Sequence, residues 1–200
     1  PVNLRQTFVN LIDAEIAAQG SKKGGFIFAK MNALIDSAII NKLYEASQAG
    51  VRIRLIVRGV CCLRPGIPDV SDNIEVISIV DRFLEHSRIF YFRAGGPGAA
   101  YLSSADWMPR NMDRRVEILF PIKDEGLRDT IIEHILKTYW ADNVKARVLL
   151  TDGTYQRRKK SGALVRAQEA FIKSARGVEA TALESPTKGK PRKISRGKID

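Results

Sequence analysis

Leu4, Phe8, Leu11, Ile12 and Ile16 are spaced so as to share one helical face, and Gly20 supplies a stop. A Lys/Gly turn over residues 21–25 follows. Gly25 to Lys30 reads as a strand running into Asn32. Asp36 is placed to cap a helix through Gln48, which Gly50 ends. Val51 to Val57 alternates at first and then becomes continuously apolar, the pattern of a strand entering a buried sheet. Further strands are predicted over Ile74–Ile79, Ile89–Phe92, Ala100–Ser103 and Val116–Pro121. A hairpin-like turn at Gly95–Gly98 joins the second of these to the third. Leu127–Tyr139 and Ala163–Ser174 carry helical periodicity.

A strand-helix-strand opening, then hairpins, then a closing helix predicts an α/β fold: a mixed sheet sandwiched by helices. Functional side chains of such folds gather at strand ends and in the loops beyond them. Arg58, His86, Arg88 and the Ser103-Ser104 pair all fall at such points.

Charge changes the picture at one end. From Gln156 onward 13 Lys and Arg stand against 4 Asp and Glu, whereas residues 1–155 carry 20 against 18. The net charge of +11 is therefore mostly a property of the C-terminal stretch, which is expected to be a disordered basic tail from residue 175. Two hundred residues suffice for one sizeable core. No apolar run approaches the ~20 residues of a membrane span, and Pro1-Val2-Asn3 has neither an initiator Met nor a signal-peptide pattern, so part of a longer protein is expected. Cys61 and Cys62 are adjacent and poorly placed to pair with each other, which suggests a reducing, cytoplasmic setting.

His86 is the first candidate for chemistry, since an imidazole can attack phosphorus, donate a proton or bind an anion. Glu85 beside it is a candidate to orient it or raise its pKa; a surface or capping histidine is the competing reading. Arg58 leaves an apolar strand and precedes Gly59, which would let the backbone turn close to a ligand; a salt-bridged strand-end arginine is the alternative. Arg110, Arg114 and Arg115 are interleaved with Asp106, Asp113 and Glu117, a mixture unlike a plain nucleic-acid patch. Lys30 and Asn32 are within reach of a phosphate at a strand end, against a solvated lysine as the plainer reading. Trp107 reads as core and His134 as packing or solvent. Phosphate-loop and dinucleotide-loop motifs and zinc spacings are absent from the sequence.

His86-Ser87-Arg88, Ser103-Ser104-Ala105-Asp106 and Arg115-Val116-Glu117 resemble one half-site of the phospholipase D superfamily, with Arg for Lys, Ser for Gly and Asp for Asn. A narrower resemblance fits better. Ala29 to Asn32, Ile56 to Gly66, Ile77 to Ile89 and Tyr101 to Arg115 resemble, in collinear order, the C-terminal part of bacterial polyphosphate kinase of the type with two phospholipase-D-like domains. The likeness extends over residues 4–172.

That resemblance implies reversible transfer of the terminal phosphoryl of ATP to inorganic polyphosphate, through a phosphohistidine upstream of this stretch. It implies that His86 acts in proton transfer or phosphate stabilisation, and that Arg58 and His86 bind phosphate. Arg88, Ser103, Ser104, Arg110, Lys30 and Asn32 are further expected phosphate contacts. Magnesium is implied, with its main contacts upstream and no metal ligand here. The expected partners are ATP or ADP and polyphosphate, with a homo-oligomer, no specific nucleic acid and at most peripheral membrane contact. Residues 1–20 would be a helix leading in from an upstream domain, 21–174 the phospholipase-D-like catalytic domain and 175–200 the tail. Taken alone, this stretch would be inactive. Two other readings stay open: a phosphodiesterase or nuclease half-site completed by a homodimer, and a non-enzymatic polyanion-binding module.

Overall fold

The computed structural model describes residues 3–177. Eight strands form one mixed sheet. They are β1 (Phe26–Met31), β2 (Arg52–Val57), β3 (Ile74–Ile79), β4 (Arg88–Phe92), β5 (Ala99–Ser103), β6 (Leu119–Pro121), β7 (Ala146–Leu149) and β8 (Tyr155–Arg157). Their order is β6-β5-β4-β1-β2-β3-β7-β8, and β1, β2 and β3 are mutually parallel while every other pairing is antiparallel.

Alternation along β1 divides the core. Ile27, Ala29 and Met31 face α1 (Leu4–Ala17) and α2 (Ser37–Gln48), where Phe8, Ile12, Ile39 and Leu43 are fully buried. Phe8, Phe90 and Trp107 close this side as an aromatic cluster, with ring centroids 4.8 to 5.4 Å apart. Phe26 and Phe28 face the opposite layer, together with Ile77, Ile79, Tyr139 and Trp140. That layer contains one continuous helical stretch, α3 (Glu125–Asp129) and α4 (Lys137–Ala141) joined by π-helical turns over Thr130–Leu136, and then α5 (Ala167–Ala175). The sandwich expected from the sequence is therefore present.

Asp36 caps α2 as its position predicts, its carboxylate accepting from the Ile39 N–H at 3.1 Å. Other boundaries differ for identifiable reasons. Phe8 and Ile12 of α1 pack into the same core as β1 and α2. The final helix starts at Ala167 because Val165 is bonded to Asn143, its carbonyl accepting from the Asn143 N–H and its N–H donating to Asn143 Oδ1. The strand expected from Val116 begins at Leu119, because Glu117 and Ile118 are held by Ser104. Strands β7 and β8 went unread in the sequence. They are short, and only Ala146 and Leu149 of β7 are buried. An Asp152-Gly153 turn between them was the available signal. The expected tail lies outside the described residues from 178 onward; its first expected residue, Ala175, ends α5.

Candidate functional site

The C-terminal ends of β1 and β2 and the N-terminal end of β4 meet at one edge of the sheet. The register Lys30↔Ile89 in the β1–β4 pair, and Lys30↔Ile56 in the β1–β2 pair, brings Lys30, Asn32, Arg58, His86 and Arg88 to that edge. The loop 80–87, between β3 and β4, carries His86 across the ends of β1 and β2.

Lys30 is not a solvated lysine. It is 2 % exposed, its Nζ donates to Ser87 Oγ at 2.9 Å and to the Ser87 carbonyl at 3.2 Å, and the Glu85 carboxylate lies 3.3 Å away. The ring of Tyr139 sits 4.8 Å from the same ammonium. Burial depresses the Lys30 pKa, and the Glu85 charge partly offsets this.

Glu85 is a structural hub rather than the orienter of His86. Its carboxylate accepts from the Tyr139 hydroxyl at 2.6 Å and from Gln168 Nε2 at 2.8 Å. Burial, reinforced by that carboxylate, pushes the Tyr139 hydroxyl well above its ordinary value. Gln168 also accepts from the Phe83 N–H and donates to the Phe83 carbonyl, both at 2.9 Å. Arg166 grips Asp81 with two bonds of 2.7 Å and holds that carboxyl below its usual range. The start of α5 thus clamps the loop that carries His86.

The His86 imidazole is exposed and makes no hydrogen bond among the described residues, while its carbonyl accepts from Arg88 Nη1 at 3.0 Å. Arg58 donates through Nη1 to the Glu85 carbonyl, and its other guanidinium donors carry no partner among the described residues. Gly59 serves the fold here: its N–H donates to the Asn32 carbonyl at 2.9 Å, and an added Cβ would lie 3.0 Å from that oxygen. The close approach is to backbone, not to a ligand.

Arg88 is committed elsewhere. Its Nε and Nη2 grip Asp106 at 3.2 and 2.9 Å, and Asp106 also accepts from the Asn32 N–H at 2.6 Å. Two departures from the phosphodiesterase pattern, Arg for Lys and Asp for Asn, are therefore ion-pair partners. Ser103 Oγ donates to the Ile118 carbonyl and accepts from the Ala105 N–H, which ties the turn to β6. Ser104 and Asn111 both bond the Glu117 carboxylate. Arg110 is exposed on the π-helical turn Arg110–Arg114 and makes no ion pair among the described residues. Neighbouring Asp113 is taken by Arg5. Asn32 Oδ1 is buried without a donor. Trp107 is core and His134 is solvent-exposed, as the sequence indicates.

Three cations, Lys30, Arg58 and Arg88, thus share the edge with two carboxylates, Glu85 and Asp106. An anion meeting it finds a net positive field, and, among the described residues, the uncommitted donors of Arg58 and an unpartnered imidazole. Sequence reasoning missed Tyr139, Arg166, Asp81 and Gln168, whose contacts span 54 to 85 residues and leave no local pattern. The described residues offer magnesium no fit. No cluster of three acid, His or Cys ligands occurs among them, and Glu85, Asp106 and Glu117 are all engaged by internal partners.

A family model described as "Polyphosphate kinase C-terminal domain 2" matches residues 1–168. Polyphosphate kinase of Halalkalibacterium halodurans is 56 % identical over 177 residues, covering 88 % of this chain and 25 % of its own length. That of Rhodopirellula baltica is 54 % identical over 86 % of this chain and 20 % of its own. The crystal structure of polyphosphate kinase from Porphyromonas gingivalis superposes with a TM-score of 0.81 at 43 % identity, over 88 % of this chain and 27 % of that one. A phospholipase D family member, Nuc from Salmonella typhimurium, shares the fold with a TM-score of 0.52 at 12 % identity, over 73 % and 90 %. The chain belongs to the polyphosphate kinase family, in its C-terminal phospholipase-D-like domain. It spans about a quarter of the length of the curated relatives it matches.

Proposed function

We propose that this chain, as a C-terminal domain of the polyphosphate kinase family, forms one wall of a site that moves the terminal phosphoryl of ATP reversibly onto inorganic polyphosphate. One observation carries the reading. The remaining guanidinium donors of Arg58 and the imidazole of His86, unpartnered among the described residues, stand at a strand-end edge where Lys30 and Arg88 are already paired.

Phosphoryl transfer asks of a protein mainly charge neutralisation and positioning. Arg58 is held at one nitrogen by the loop backbone, so its remaining donors are pre-aimed for a phosphate. His86 donates a hydrogen bond or a proton to a phosphate oxygen, its backbone fixed by Arg88 and Asn32. Lys30 and Arg88 contribute field from behind, since Glu85, Ser87 and Asp106 hold them. Ser103 and Ser104 shape the turn, and Arg110 is the further cation exposed to solvent. In this reading the nucleophilic histidine lies upstream of these residues, as do the main contacts of a magnesium ion, which when bound would offset phosphate charge. The phosphodiesterase reading is disfavoured because the residue in the place of its phosphate-gripping lysine, Arg88, is occupied by Asp106. Two free cysteines fit a reducing cytoplasm. No described helix is long and apolar enough to cross a membrane.

The test uses two preparations. The purified chain, given ATP and polyphosphate, is expected to leave polymer length unchanged. A complete polyphosphate kinase carrying His86→Ala is expected to lose synthesis while keeping its melting temperature. Arg58→Ala should weaken phosphate binding by ~1.5–3 kcal/mol. Elongation by the isolated chain, or full turnover by His86→Ala, overturns the proposal.

A further inference from the structure

A second concentration of positive charge lies away from His86, between β2, the end of α4 and the segment after β8. It is a cleft of about 400 Å³, within the size range of ligand sites. Arg54, Lys137, Arg158 and Lys159 line it, and no acidic side chain does. A basic surface is often no more than a solvated face. Here two of the cations are built in. The guanidiniums of Arg54 and Arg158 sit 4.9 and 5.4 Å from the ring of Trp140, which is itself nearly buried. Arg158 is fixed further by the Trp140 carbonyl.

Arg54 is the odd member. Its Nε is buried with no hydrogen-bond partner, and the Glu75 carboxylate, 3.7 Å away, is beyond hydrogen-bond reach. Burial lowers its pKa, the Glu75 carboxylate partly offsets this, and repulsion from Arg52 and Arg158 adds to the lowering. A buried donor left unpaired is a liability unless something supplies the acceptor. Glu133 pairs Lys137 and Glu75 lies to one side of Arg54, but Arg158 and Lys159 have no carboxylate partner among the described residues, so the lining keeps an excess of positive charge that an external anion would relieve.

We propose that this cleft is an accessory polyphosphate site, which grips a stretch of polymer remote from the reacting end. The choice of ligand rests on the polyphosphate kinase reading above. The location suits the role. Arg54 lies in β2 and Arg58 just past its C-terminal end, four residues and so roughly 13 Å further along the chain. Consecutive residues of α4 serve the two places, Tyr139 against Lys30 and Trp140 over the cleft. A polymer held at both points is retained through cycles of transfer, because each contact raises the effective concentration at the other. Single-stranded nucleic acid fits less well. It needs free aromatic faces for its bases, and the Trp140 ring is taken up by two guanidiniums and an edge contact with Phe28.

The arginine Nε–H signals of the intact chain provide the test, with Arg54 and Arg58 assigned by Arg54→Gln and Arg58→Gln. Long-chain polyphosphate should shift both signals, and triphosphate should shift Arg54 much less. Lys159→Gln, at an exposed position, should weaken the Arg54 response about tenfold and leave the melting temperature unchanged. If only the Arg58 signal moves, the accessory site is wrong and the catalytic reading stands. If neither moves, both fall. An oligonucleotide of equal charge that shifts Arg54 as strongly overturns the polyphosphate assignment.

Discussion

Gln168→Ala isolates the clamp that α5 places on the His86 loop. Gln168 is 4 % exposed and makes three hydrogen bonds, two to the Phe83 backbone and one to the Glu85 carboxylate. Neutral bonds contribute a net ~0.5–1.5 kcal/mol each and a bond to a charged group ~1.5–3. Phe83 and Leu84 are exposed, so water replaces the two backbone partners and the net loss falls near the low end of the sum, at about 2–3 kcal/mol. If that loss is local, the open state of the loop becomes roughly 30- to 150-fold more populated. Amide exchange over residues 81–88 should accelerate by that factor, with the amides of β1 and β2 unchanged. Unaltered exchange in the loop would refute the clamp, as would equal acceleration throughout the sheet. The same measurement on Arg166→Ala should give the same regional pattern, through Asp81.

Lys30→Met removes one member of a buried pair and should destabilise the fold by ~3–5 kcal/mol in urea titration; adding Glu85→Gln should restore part of the loss, and strict additivity would deny the coupling. Burial pushes the Cys61 thiol up to about 11, so the folded state keeps its proton while the unfolded state loses it from about 9. The stability of the native chain relative to Cys61→Ser should therefore fall as pH rises across that window; a constant difference would contradict the assignment. Asp36→Ala deletes the α2 cap at Oδ1 and two Arg5 bonds to Oδ2, and should cost about 2 kcal/mol, a loss that Asp36→Asn reduces; identical losses would show that the cap contributes nothing.

The sheet centre was legible because its strands are buried on both faces and read as apolar runs; Ile74–Ile79 matches to the residue. The helix over Leu127–Tyr139 was legible as a helix but not in its π geometry, since Ile131, Ile135 and Tyr139 fit ordinary helical spacing equally well. In the site, Arg58 and His86 announced themselves by position. The burial of Lys30 did not, because a lysine at a strand end carries no sign of the Tyr139 and Glu85 that will cover it. The pairing of Arg88 with Asp106 was visible only as two separate mismatches to a motif. Their mutual compensation required the register that sets Arg88 opposite Ser103.

The two rims of the sheet are guarded unequally. At one, β8 is three residues long and runs into Arg157, Arg158, Lys159 and Lys160, so a foreign strand would have to approach through like charge. At the other, Val116, Ile118 and Phe120 are 86 %, 59 % and 43 % exposed, and Pro121 is the main device that interrupts pairing. Handled by itself in solution, the chain should self-associate from the β6 rim. A charged residue in place of Ile118 should keep it dispersed without touching the edge that carries His86.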